Sequence, residues 1–116
     1  MGKHDLDRED RANYDSARAL LEPMVGAATA ATLAAQLEAA PVVYRQAADI
    51  VRSSCITLIP PDDPQVAHFI GKIKRKKMPQ PILLVEWRPL IIADGHHRTA
   101  AAFYVDPETF LACKVA

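Results

Sequence analysis

The sequence predicts an α+β fold, a small mixed β-sheet with an N-terminal helical lead-in. Three observations carry that expectation. Residues 12–53 are rich in alanine and place apolar residues at helical spacing. From Ser54 onward, short apolar runs alternate with helical patterns in the order β-α-β-β-α-β. Prolines and the Asp94-Gly95 pair fall at the joints between those runs.

Met1 to Arg11 is charged, lacks an apolar stripe and reads as a mobile tail. Tyr14, Ala17 and Leu21 then follow at helical spacing, in a helix ending near Pro23. A second helix is expected over 27–40, with Leu33 and Leu37 on one face, because alanine favours helix and no Gly or Pro interrupts it. Pro41 suits the first turn of a third helix, whose apolar face would be Val43, Ala47, Ile50 and Val51. The apolar faces of this lead-in either pack on the sheet or form a homodimer interface.

Cys55-Ile56-Thr57-Leu58-Ile59 reads as a buried strand stopped by Pro60-Pro61. Asp62 or Asp63 can cap the next helix, with Pro64 in its first turn. That helix carries Val66, Phe69, Ile70 and Ile73 at i, i+3, i+4 and i+7. It ends in the basic run Lys72, Lys74, Arg75, Lys76 and Lys77, and Pro79 and Pro81 break it. Ile82–Val85 is the next strand, and Glu86-Trp87-Arg88-Pro89 turns into a further strand over 90–93. A helix follows to about Tyr104, and Phe110–Val115 closes the sheet. The chain thus divides into a lead-in, 1–53, and a domain, 54–116, expected to form one compact unit.

Its 116 residues, half of them hydrophobic, suit a single domain. Fourteen basic and fourteen acidic residues cancel. A generally basic nucleic-acid binder is therefore excluded, and only a local patch could serve. Cys55 and Cys113 lie in apolar runs without metal-ligand spacing and read as buried free thiols in a reducing compartment. No apolar run reaches membrane-spanning length, no secretory signal opens the chain, and Leu6 stands where myristoylation wants Ser or Thr. A cytoplasmic location with no membrane partner is expected.

The densest chemistry lies in Ile91-Ile92-Ala93-Asp94-Gly95-His96-His97-Arg98-Thr99-Ala100. An apolar strand stops at Asp94-Gly95, and an alanine-rich helix begins at once. A helix start turns unpaired N–H groups and a positive dipole end outward, which favours phosphate. Gly95 would let a ligand approach the backbone, and Arg98 can offer a fork of donors to phosphate oxygens.

Pro81-Ile82-Leu83-Leu84-Val85, a hairpin, and then Asp94-Gly95-His96-His97-Arg98 opening a helix together resemble the ParB/sulfiredoxin superfamily, over about residues 54–116. The resemblance implies that superfamily's fold, with a nucleotide's phosphates cradled at the helix start. Sulfiredoxins carry Gly-Cys-His-Arg at this point. Here the Cys position is His96, so that activity lacks its nucleophile and is rejected. Partition-type ParB proteins carry Gly-Glu-Arg-Arg and use CTP as a clamp switch. His96 and His97 replace their Glu and first Arg, and no helix-turn-helix pattern follows, so a partition role is not expected. The Asp-Gly-His-His-Arg form is similar to ParB-like nuclease domains and to free-serine kinases of this fold, which are considerably longer.

Arg98 is expected to bind phosphate, against a surface arginine paired with Glu86 or Glu108. Gly95, His96, His97 and Thr99 complete the expected phosphate cradle. Asp94 reads as a catalytic base, a Mg²⁺ ligand or a plain Asx-turn residue. Adjacent histidines diverge on a helix and would not grip one metal ion. One of them, with His97 the catalytic candidate, can hydrogen-bond phosphate or shuttle a proton. The resembled kinases place a catalytic carboxylate near Asp62 and Asp63; on that ground Asp62 joins the catalytic candidates, against the helix-cap reading. Lys72, Lys74 and Arg75 read as a solvated helix end or as a contact for nucleic acid or nucleotide phosphate. Trp87 reads as a hairpin anchor or a base-stacking surface. The expected ligand is a nucleoside di- or triphosphate with Mg²⁺. The expected chemistry is nucleotide hydrolysis, phosphoryl transfer or nucleic-acid cleavage; the alternative is a non-catalytic nucleotide-sensing or partner-binding module.

Overall fold

The computed structural model describes residues 8–77 and 80–116. In chain order the elements are α1 (Arg8–Val25), α2 (Ala27–Ala39), β1 (Val43–Gln46), α3 (Ala47–Ser54) and α4 (Pro64–Lys74). They continue as β2 (Ile82–Val85), β3 (Ile91–Asp94), α5 (His96–Val105) and β4 (Phe110–Val115). The strand order is β1-β4-β2-β3. β2 and β4 run parallel, while β1–β4 and β2–β3 are antiparallel. This is the small mixed sheet of an α+β fold, with its helical lead-in. Of the tail expected at the start, residues 1–7 lie outside the described residues, and Arg8 to Arg11 belong to α1. The break expected at Pro79 also lies outside them.

Side-chain alternation along β2 explains why all four of its residues are buried. Leu83 and Val85 point to one face, where Tyr14, Ala17 and Leu21 of α1 meet Ala30 and Leu37 of α2. Ile82 and Leu84 point to the other, against Ala47 and Ile50 of α3, Ala102 of α5 and Leu111 and Cys113 of β4. Each leucine, isoleucine or valine among these contributes about 1.5–3 kcal/mol when fully buried, and each alanine well under that. The apolar faces of α1 and α2 therefore pack on the sheet. α4 forms a third cluster on the outer side of α5, through Val66, Ala100 and Ala101. No described helix is long and apolar enough to cross a membrane.

Three expectations are corrected. The helix expected from Pro41 begins only at Ala47, because Val43–Gln46 forms β1 and pairs with Phe110–Cys113 of β4. The sheet thus runs across the boundary expected at residue 53. Cys55–Ile59 is not a strand. Cys55 ends α3 in a left-handed conformation and is exposed, and the chain after it is irregular, with Leu58 and Ile59 packed on the α4–α5 cluster. Only Cys113 is the buried thiol expected, and burial pushes its pKa up to about 11.

Candidate functional site

β3 delivers Asp94 to the site through a bulge. Leu83 pairs with Asp94 but Leu84 pairs with Ile92, so Ala93 is an extra residue on β3. Gly95 follows at φ 115°, ψ 23° and leads into α5. An added Cβ there would lie 2.8 Å from Ile82 Cδ1 and 3.1 Å from its Cγ2. The glycine is demanded by backbone conformation and by Ile82, on the core side, and close approach of a ligand is not needed to explain it.

Among the described residues, no side chain caps the N-terminus of α5. This contrasts with α4, where Asp63 Oδ1 accepts from the backbone N–H groups of Gln65 (2.9 Å) and Val66 (3.1 Å). Of the two carboxylates expected as caps, Asp63 does the capping, and Asp62 is exposed and does not line the cavity described below. Asp63→Ala is expected to cost about 1 kcal/mol in urea unfolding, while Asp63→Asn, which keeps an accepting oxygen, stays within a few tenths. Equal losses in both variants would show that charge rather than capping matters there.

Arg98 is not a surface arginine. It is 6 % exposed, and its guanidinium donates through Nη1 to the carbonyls of Gln80 (2.9 Å) and Pro81 (3.2 Å) and through Nη2 to Asp94 Oδ2 (2.5 Å). Glu86 pairs instead with Arg45, and Glu108 is exposed. The residue expected as the main phosphate ligand thus acts as a latch between α5, β3 and the start of β2. Thr99, expected in the phosphate cradle, is fully buried, and its hydroxyl donates back to Gly95 O at 2.8 Å. That engagement removes it from the ligand set.

Burial pushes the Asp94 carboxyl up from its ordinary pKa, outweighing Arg98, which pulls it down. His96 is held below the usual histidine range by burial and by neighbouring His97, with Asp94 opposing. Its neutral form is the one the fold favours. The stability this contributes is fully present above the unfolded value near 6.5 and is lost as pH falls through the lower folded value. The melting temperature of the wild type is therefore expected to drop between about pH 7.5 and 5 more steeply than that of His96→Gln. Superimposable profiles would exclude His96 as the group responsible.

A cavity of about 480 Å³ opens beside this junction. Asp94, Gly95, His97 and Arg98 form its floor, and α4 supplies Pro64, Gln65, His68 and Phe69. The third side comes from α1, through Asn13 and Ser16. His97 Nε2 lies 3.9 Å from Asp63 Oδ1. His96 is not on the lining. Lys72 Nζ lies 5.9 Å from the Phe69 ring centroid but Lys72 is not on the lining, and Lys74 and Arg75 are exposed, with Arg75 ending the helix. Trp87 is exposed and does not line the cavity.

Of the candidates the sequence offers, Asp94, Gly95, His97 and Arg98 line the cavity, whereas its walls come from residues that carry no sequence signal. His68 and Gln65 lie off the apolar stripe of α4, and nothing local marks them. Asn13 and Ser16 arrive from some eighty residues away because α1 docks on β3. Among the described residues no group of three His, Cys, Asp or Glu side chains is placed to hold a metal ion. A Mg²⁺ ion that arrives with a ligand's phosphates would ask for no such group, since it needs one or two protein carboxylates. Asp94 Oδ1, which carries no hydrogen bond among the described residues, is the oxygen left for it. The chain matches no protein-family model, no curated protein and no solved structure.

Proposed function

We propose that this protein binds a nucleoside di- or triphosphate at the β3–α5 junction, with the phosphates on the N–H groups that open α5. The observation that carries the reading is a ligand-sized cavity ending on a helix N-terminus that no side chain caps among the described residues. Its volume of about 480 Å³ lies within the range of small-molecule sites, roughly 300–1,000 Å³. Helix N–H groups and dipole favour phosphate oxygens there. His97 adds a donor on the same floor, and Arg98 holds the turn in shape without surrendering its own contacts. The resemblance to the ParB/sulfiredoxin superfamily supports the same placement of phosphate.

A catalytic reading rests on one further observation, the approach of His97 to Asp63 across the α4–α5 gap. In phosphoryl transfer or nucleotide hydrolysis His97 would take the proton of the attacking hydroxyl or water, and Asp63 would orient the imidazole. Mg²⁺ carried by the phosphates would neutralise their charge, with Asp94 Oδ1 as its protein contact.

Calorimetry against ATP, GTP, CTP, UTP and inorganic tripolyphosphate, each with Mg²⁺, tests binding. A dissociation constant below about 1 mM is expected for at least one of them, weakened roughly tenfold in His97→Ala. Absence of heat from all five at millimolar concentration sinks the site. Phosphate release by the wild type beside His97→Ala and Asp63→Asn tests turnover. Binding without release leaves the nucleotide-sensing reading in place of the enzyme.

A further inference from the structure

We infer that the nucleobase of this ligand is seated between α1 and α4 and is read by Ser16 and Gln65. This rests on the phosphate site proposed above and names what lies beyond it. The cavity is too large for phosphate alone, and its two walls differ in chemistry from its floor. The lining charges, Asp94 and Arg98, lie on the floor and are paired with each other. The walls are neutral and hydrogen-bonding: Asn13 and Ser16, one helical turn apart on α1, and Gln65 on α4. Beside Gln65, the rings of His68 and Phe69 meet edge to face with centroids 5.3 Å apart, which gives the α4 wall an aromatic margin. Neutral amide and hydroxyl groups next to an aromatic edge suit a flat, uncharged ring bearing donors and acceptors, which a second phosphate or a carboxylate is not.

The hydrogen bonds already made say which groups are available. Asn13 Nδ2 donates to Gln80 Oε1, and the Gln80 carbonyl accepts from Arg98. Asn13 therefore fixes α1 against the latch of the phosphate floor and is a positioning residue. The Ser16 hydroxyl and the Gln65 side-chain amide make no hydrogen bond among the described residues, and both residues are exposed. They are free to meet a ligand, and substituting them removes no hydrogen bond found among the described residues.

The test uses the full chain, with Ser16→Ala, Ser16→Leu and Gln65→Leu beside the wild type. Titrations compare the best-bound nucleoside triphosphate, ribose 5-phosphate and inorganic tripolyphosphate, and thermal denaturation checks folding. The wild type is expected to prefer the nucleotide over both other probes by tenfold or more. Ser16→Ala and Gln65→Leu should weaken the nucleotide roughly three- to tenfold, and Ser16→Leu more, with tripolyphosphate changed less than twofold. Ribose 5-phosphate or tripolyphosphate bound as tightly as the nucleotide would overturn the nucleobase while leaving the phosphate site standing. So would variants that lose nucleotide and tripolyphosphate equally, or neither. A wild type that binds none of the three overturns both proposals together.

Discussion

Replacing Arg98 with alanine is expected to destabilise the protein by about 3–5 kcal/mol, read from urea unfolding at neutral pH. A domain of this kind has only about 5–15 kcal/mol in total, so the loss approaches unfolding. The cause is what the substitution leaves behind. Asp94, with its side chain 17 % exposed, loses its counter-charge, and the carbonyls of Gln80 and Pro81 lose their donor. The deficit should depend on pH through Asp94. Asp94 already has a raised pKa, and removing Arg98 removes a cause that lowers it, so the folded value rises further. For a carboxyl raised on folding, the stabilisation is present below the unfolded value near 3.8 and is lost as pH rises through the folded value. The variant should therefore fall furthest behind the wild type at neutral pH and recover part of the gap on acidification. Asp94→Leu combined with Arg98→Met should be closer to the wild type than Arg98→Ala, because no buried charge is then left unpaired. A loss under 1 kcal/mol at neutral pH would mean that Arg98 is no latch and is available to a ligand.

That Asp and Arg stand four residues apart across a helix start is visible in the sequence, and this spacing brings such side chains together. What the sequence does not reveal is that the pair faces inward. This depends on Gln80 and Pro81 lying close enough to accept, which only the packing of β2 against α5 arranges. The same division runs through the fold. α1, α2, β2 and β4 were legible because each carries its own periodicity or apolar run. β1 was not, because Val43, Ala47, Ile50 and Val51 also fit one helical face. The choice was made by β4, almost seventy residues later, which supplies hydrogen-bond partners to Val43–Gln46. Ile56 to Ile59 has the composition of a strand and finds no place in the sheet, since β1 takes the position beside β4 and β3 the other edge. It serves instead as an apolar strap, with the Ile59 carbonyl accepting from the Tyr104 hydroxyl at 2.9 Å. The motif lies at the β3–α5 junction, as its apolar run and alanine-rich continuation imply, and the walls of the cavity leave no trace in the sequence because they depend on helix docking.

Gly95→Ala is expected to cost about 2–6 kcal/mol from two separable causes. The first is backbone strain: φ of 115° lies outside the left-handed region that L-residues visit, at roughly 1–3 kcal/mol. The second is overpacking, again about 1–3 kcal/mol, because the new methyl would sit 2.8 Å from Ile82 Cδ1. Ile82 is fully buried between α3, α5 and β4, so it has no empty space into which to turn. Ile82→Val deletes the nearest atom and keeps the branch at 3.1 Å, so it should relieve only part of the second cause. A double-mutant cycle on urea unfolding is then expected to give a favourable coupling of about 0.5–1.5 kcal/mol, with the rest of the loss unrescued as backbone strain. Zero coupling would assign the whole cost to φ. The direction of the missing Cβ also bears on function: it points at Ile82 and at Arg98 Nη2, 3.3 Å away, on the side of the core and the latch. A glycine at this turn is thus accounted for by the fold alone. Evidence for a bound phosphate must come from His97 and from Ser16 and Gln65 of the cavity walls, whose side chains make no hydrogen bond to the Arg98 latch among the described residues.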